Sequence, residues 1–200
     1  MITKSNYEYL KDTYGAYASW AIWTIPKIAT KKEQTEDLSI FNDKNVCEKL
    51  NDRYVFVGLN ASEQETNFSQ WRSFHSDDVA KQNDYKLRYA LKDTKYWGSY
   101  ITDIIKGLKL TKSEKVKMYI KDNPDYLQTC VKMFLDEIAH ISENPVLIAM
   151  GDATYKILKK IPELKKYKII KIMHYAYRYN GYSHNPIKYR AKIEEQLKNW

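Results

Sequence analysis

Four short runs of β-forming apolar residues, each closed by a glycine or by polar residues, alternate with stretches of helical spacing and set the narrowest limit on how this chain folds. The runs are Arg53-Tyr-Val-Phe-Val-Gly58, Tyr100-Ile-Thr-Asp-Ile-Ile-Lys106, Pro145-Val-Leu-Ile-Ala-Met150 and Tyr167-Lys-Ile-Ile-Lys-Ile-Met173. Between and after them lie helical patterns. Tyr85, Leu87, Tyr89, Ala90 and Leu91 predict a helix over Asp84 to Lys95. Leu127, Val131, Phe134, Leu135 and Ile138 recur at spacings of three and four behind Pro124, predicting a long amphipathic helix from Asn123 to Ile141. Asp152 fits the N-cap of a helix reaching Ile161, and a last helix spans Pro186 to Leu197. Such alternation predicts an α/β fold, a three-layer α/β/α sandwich whose short, mostly parallel central sheet is covered on both faces. Ligand sites in such sheets form where the carboxyl ends of the strands meet.

At 200 residues the chain has the size of one domain, 1–200. The aromatic-rich stretch from Asn6 to about Lys27 reads as helical up to Pro26. The first 45 residues are then a helical extension of the same domain, with a charged polar loop from Thr30 to Asp37. There is no apolar run of about 18 residues, and the polar start lacks a signal-peptide pattern, so a cytoplasmic protein with no membrane partner is expected. Cys47 and Cys130 lack metal-ligand spacing and fit core thiols. The net charge of +8 is asymmetric: the first hundred residues balance fourteen charges of each sign, whereas the second hundred carry nineteen basic against eleven acidic side chains. That half suits a polyanionic partner.

Phosphate-cradling glycine motifs are missing, as are the serine elbow of esterases and any histidine pair spaced for zinc. Two loops remain, each following an apolar strand: Val57-Gly58-Leu59-Asn60-Ala61-Ser62 and His174-Tyr175-Ala176-Tyr177-Arg178. Over roughly residues 53 to 180 their order and spacing resemble the uracil-DNA glycosylase superfamily. That superfamily has a Gly-x-Asn/Asp-Pro loop after an early strand and a His-Pro-Ser loop after a late one. Gly58-Leu59-Asn60 is similar to the first motif and His174 to the histidine of the second. Arg178 matches an arginine found four places later in the single-strand-selective branch, and Asp103 stands where an intermediate strand reads the base edge.

The resemblance implies a DNA glycosylase-like protein that hydrolyses the N-glycosidic bond of a damaged or modified base without metal or cofactor, its partner being nucleic acid, DNA ahead of RNA. By the same resemblance Asn60 holds the attacking water and His174 stabilises the departing base anion. Gly58, Leu59 and Asp103 line the base pocket, and Phe68, Trp71 or Phe74 stacks on the base. Arg178 enters the space left by the flipped nucleotide, with Ser62 and Tyr175 beside the phosphates. The chain departs from the pattern at Ala61, where the family has Pro, and at Tyr175 and Ala176, where it has Pro and Ser. Asp103 replaces Asn, and an ionised carboxylate only accepts hydrogen bonds, so uracil is not the expected base. Each residue also has a plainer reading. Asn60 fits a local turn, Asp103 a cap, the aromatic residues packing and Arg178 a solvated face. Two other functions fit the same scaffold: a non-catalytic nucleic-acid-binding protein, or an enzyme acting on a free nucleoside or nucleotide.

Overall fold

The computed structural model describes residues 1–30, 37–61, 70–75 and 83–199. In chain order the elements are α1 (Lys4–Tyr14), β1 (Ala18–Trp20), α2 (Val46–Lys49), β2 (Asn51–Asn60), α3 (Asp84–Leu91), β3 (Ser99–Ile105), α4 (Ser113–Asp122), α5 (Pro124–Ile141), β4 (Val146–Met150), α6 (Asp152–Leu158), β5 (Ile169–Ile172) and α7 (Pro186–Leu197). The sheet order is β1-β3-β2-β4-β5. The pairs β3–β2, β2–β4 and β4–β5 are parallel and β1 is antiparallel to β3. The chain is thus an α/β protein with a five-stranded, mostly parallel central sheet flanked by helices. Among the described residues no helix is long and apolar enough to cross a membrane.

Alternation along each strand sorts the core into two sets. Val55, Val57, Tyr100, Ile104, Leu147 and Ala149 pack with α1, α4, α5 and α6 through Leu10, Val116, Phe134, Ile138 and Leu158. Phe56, Ile101, Ile148, Met150, Ile170 and Ile172 pack on the other face with Leu87 and Leu91 of α3 and with Tyr189 and Ile193 of α7. Burial on both faces explains why the runs of β2, β3 and β4 read as near-continuous apolar stretches, whereas β5, at the sheet edge, exposes Lys171.

The N-terminal segment departs from the helix expected over Asn6 to Lys27. Thr3 Oγ1 caps α1 by accepting from Asn6 N–H at 3.1 Å, and the helix stops at Tyr14. Ala18–Trp20 then adds an edge strand to β3, with Ser19 Oγ donating to the Trp71 carbonyl at 2.9 Å and the Trp20 ring edge-on to Tyr100 at 4.9 Å. Aromatic spacing alone does not separate helix from strand here; pairing with β3 decides it. Trp20 and Trp23 are core residues. The helix expected to reach Lys95 ends at Leu91, and the one expected to reach Ile161 ends at Leu158, before Pro162 opens a 3-10 turn. Gly151, not Asp152, is the N-cap of α6; Asp152 is its first residue and pairs with Lys171 at 2.7 Å. α4 buries only Val116 and Ile120, a single pair four residues apart. Cys47 and Cys130 are both free thiols.

Candidate functional site

The carboxyl ends of β3, β2, β4 and β5 line up across the sheet. On the face covered by α3 and α7 they present Asp103, Gly58 and Met150, with His174 two residues beyond Ile172. Gly58 and Asp103 are register partners, and Asp103 is buried. A Cβ on residue 58 would lie 2.1 Å from Asp103 Oδ1 and 3.6 Å from Met150 Cε. The carboxylate therefore occupies space that only glycine leaves open.

His174 is half-buried where the chain leaves β5. Gly151, at φ +94°, lets the backbone pass beside it, and a Cβ there would touch His174 Cβ at 3.4 Å. His174 Nδ1 accepts from Ala176 N–H at 3.0 Å, so in the neutral ring the proton sits on Nε2. Burial, with the Lys86 charge second, holds the imidazole down at about 4 from an ordinary 6.5. At neutral pH the ring is thus an uncharged donor through Nε2. Tyr175 stacks on it, with ring centroids 4.6 Å apart and 23° between planes. Tyr189 of α7 donates its hydroxyl to the Met173 carbonyl at 3.0 Å, and Met173 N–H donates to Gln196 Oε1 at 2.8 Å, so α7 fixes the start of the loop.

Lys86 is fully buried, and its Nζ donates to the carbonyls of Tyr177 at 3.2 Å and Tyr182 at 3.3 Å, clamping the loop after His174 onto α3. The apolar spacing of α3 conceals this role. The available signal was the interleaving of Asp84, Lys86 and Arg88 with Tyr85 and Leu87. Seven of the eight residues of α3 are buried, so its charged side chains are interior groups and not a solvated face. Behind the sheet, Lys106 forms a buried ion pair with Glu137 of α5 and donates to Thr102 Oγ1 at 2.6 Å and to the Asp103 carbonyl at 2.5 Å. Tyr100 and Thr102 donate to Glu137 Oε1 at 3.0 and 2.8 Å. This network fixes the backbone at the residue that carries the site carboxylate.

Asn60, at the end of β2, gives its amide nitrogen to three carbonyls: Ala61 at 2.7 Å, Leu108 at 3.0 Å and Leu110 at 2.8 Å. The side chain thereby ties the 108–110 segment to the strand, and its carbonyl oxygen has one fixed direction. Leu59, of opposite parity, joins the α5-side core, away from Asp103. Trp71 is buried among Tyr7, Trp20 and Tyr100 in that same core, which removes it as a base-stacking residue. Phe74 is partly buried against the α3 and α7 cluster, on the Asp103 side. Arg178 is exposed on the loop after His174. Ser62 and Phe68 lie outside the described residues.

Among the described residues no group of three or more His, Cys, Asp or Glu side chains is arranged to hold a metal ion. An open cavity of about 400 Å³, lined in part by Asn51, Arg53, Tyr54, Lys95 and Trp97, lies at the opposite, amino-terminal edge of the sheet and includes none of the residues above. Comparison with protein families, characterised proteins and solved structures finds no match to this chain.

Proposed function

We propose that the chain is a hydrolase of the uracil-DNA glycosylase-like type, cleaving the N-glycosidic bond of a damaged or modified base in nucleic acid, DNA ahead of RNA. The observation that carries this reading is the alignment of Asp103, Gly58, Met150 and His174 across the ends of four neighbouring strands, with His174 neutral and its proton on Nε2. Departure of a base leaves negative charge on it and positive charge on the sugar. A fixed, uncharged N–H donor favours the first without a proton having to be lost beforehand. Asn60, its nitrogen consumed by three carbonyls, presents an oriented acceptor that suits a water molecule below the sugar. Asp103, pressed on the Gly58 backbone, accepts from a base edge that offers donors, which disfavours uracil.

The test is mass spectrometry of bases released from oligonucleotides carrying a panel of modified nucleotides, with uracil among them. Release of a modified base, with abasic sites left behind and uracil released poorly, supports the reading; uracil as the best substrate sinks the role given to Asp103. One observation favours a second reading, a nucleic-acid-binding protein without chemistry: the three bonds from Asn60 Nδ2 also serve as a purely structural tie. Salt-sensitive binding with no base released from any oligonucleotide separates that case.

A further inference from the structure

The cavity of about 400 Å³ at the amino-terminal edge of the sheet takes no part in the strand-end site. An irregularity in β2 shapes it. Asn51 pairs with Ser99 and Val55 with Tyr100, so three residues of β2 stand opposite none of β3. Regular alternation would send Asp52, Arg53 and Tyr54 to opposite faces in turn; out of register, all three line the one cavity. Contacts with the 95–98 turn fix the adjoining wall. Asn51 Nδ2 donates to the Lys95 carbonyl at 2.7 Å, and Asn51 N–H donates to the Gly98 carbonyl at 2.8 Å. Gly98 has φ +77°, and a Cβ there would stand 2.3 Å from the Lys49 carbonyl oxygen, so the two backbones meet only because residue 98 is glycine. The cavity is thus preformed, held open by a bulged strand and a glycine turn.

The lining combines cations with aromatic rings. Lys49, Arg53 and Lys95 bring three positive side chains, and Asp52 is the one carboxylate of the lining. Asp52 is paired with the amino group of Met1, and Lys49 with Asp43. Arg53 is exposed and makes no side-chain hydrogen bond or ion pair among the described residues. Lys95 Nζ lies 6.0 Å from the Tyr54 ring centre and 5.3 Å from that of Tyr96, and those two rings meet edge-on at 4.6 Å. Trp97 is partly buried, its ring 5.7 Å from that of Trp23. An arginine fork pairs with an oxyanion through two parallel N–H bonds, and further cations around the same space favour a dianionic phosphate over a singly charged carboxylate. Tyrosine and tryptophan rings beside it offer flat apolar area to a ring. A space of this size falls within the range of small-molecule sites.

We propose that this cavity is a binding site for a small phosphorylated molecule carrying a flat ring, in chemical class a nucleoside monophosphate, with the phosphate on Arg53 and Lys95 and the ring against Tyr54 and Trp97. The site is independent of the hydrolytic one, because the two lie at opposite ends of the strands. The experiment is isothermal titration calorimetry of the full chain with adenosine monophosphate, adenosine and inorganic phosphate, at low and at physiological salt. The monophosphate is expected to bind about tenfold or more tightly than either fragment, and to weaken as salt rises. Arg53→Gln should weaken the monophosphate by about tenfold or more and leave adenosine as it was, since a charge-assisted pair is lost and no ring contact. Tyr54→Leu should weaken both. Thermal unfolding confirms that each variant is folded at the titration temperature. His174→Gln should bind all three probes like the wild type. No binding of the monophosphate, inorganic phosphate bound as tightly as the monophosphate, or wild-type affinity in Arg53→Gln or Tyr54→Leu overturns the proposal. Loss of binding in His174→Gln would place the nucleotide in the strand-end site and overturn it equally.

Discussion

Replacing Gly58 by alanine tests the packing at the centre of the site. The added Cβ would stand 2.1 Å from Asp103 Oδ1, where ordinary contact begins at 3.4 Å, and the obstacle is a short side chain held by register with β2. Asp103 must leave its rotamer or the two strands must part. Overpacking of this kind costs about 1–3 kcal/mol, whereas relief from glycine in a strand returns roughly 0.5–1 kcal/mol. The net loss is about 1–2 kcal/mol, or a Tm lowered by roughly 2–8 °C for a chain of this size. The only contacts closer than 3.4 Å are with the carboxyl group, so in an Asp103→Ala background the same Gly58→Ala change should be neutral or mildly stabilising. A thermal-unfolding double-mutant cycle should therefore give a coupling of about 1–3 kcal/mol. Equal destabilisation of both backgrounds would show that Asp103 does not occupy this space, and the site as described would fall with it.

His174, depressed to about 4 by burial, contributes stability that is fully present above pH 6.5 and is lost as pH falls toward 4, since the unfolded chain takes up the proton first. Over that window its share amounts to about 3 kcal/mol, and His174→Gln should flatten the stability profile by that amount; an NMR titration midpoint near 6.5 would refute the burial argument. Lys86→Met removes the clamp on the carbonyls of Tyr177 and Tyr182 and one charge acting on His174. Limited proteolysis should then cut the 175–185 loop faster, and the His174 midpoint should rise; an unaltered cleavage pattern counts against the clamp. Lys106→Met leaves Glu137 buried without its cation. The expected loss is about 3–5 kcal/mol, a Tm lower by roughly 6–20 °C, and a second change to Glu137→Gln should recover part of it; a single variant as stable as the wild type would remove the network from the account.

The central and C-terminal elements were legible because their signals are strong and local. The apolar runs ending at Gly58 and Met150 match β2 and β4, Pro124 marks the start of α5, and Pro186 to Leu197 is α7. The edge strand Ala18–Trp20 was not legible, because its partner β3 lies some eighty residues away and its own aromatics suit helix and strand alike. The strand ends bearing Gly58, Asp103 and His174 could be placed on one edge from the order of elements. Three facts could not be read that way: that Gly58 makes room for a carboxylate, that Asn60 spends its nitrogen on the 108–110 carbonyls, and that Trp71 belongs to the opposite core. Each depends on a contact between residues distant in sequence. The role of Lys86 is hidden for a related reason, since a lysine on a short helix is ordinarily solvated, and only the loop packed over α3 makes it interior.

Base release from modified oligonucleotides, compared between the wild-type chain and His174→Gln, tests the central claim most directly. The wild type should free a modified base and leave abasic sites. The variant, folded by thermal unfolding and still binding the oligonucleotide, should release it at least 100-fold more slowly, the scale on which a lost anion-stabilising donor is felt. Equal release by the two proteins, or none from the wild type under conditions where it binds, would contradict the account.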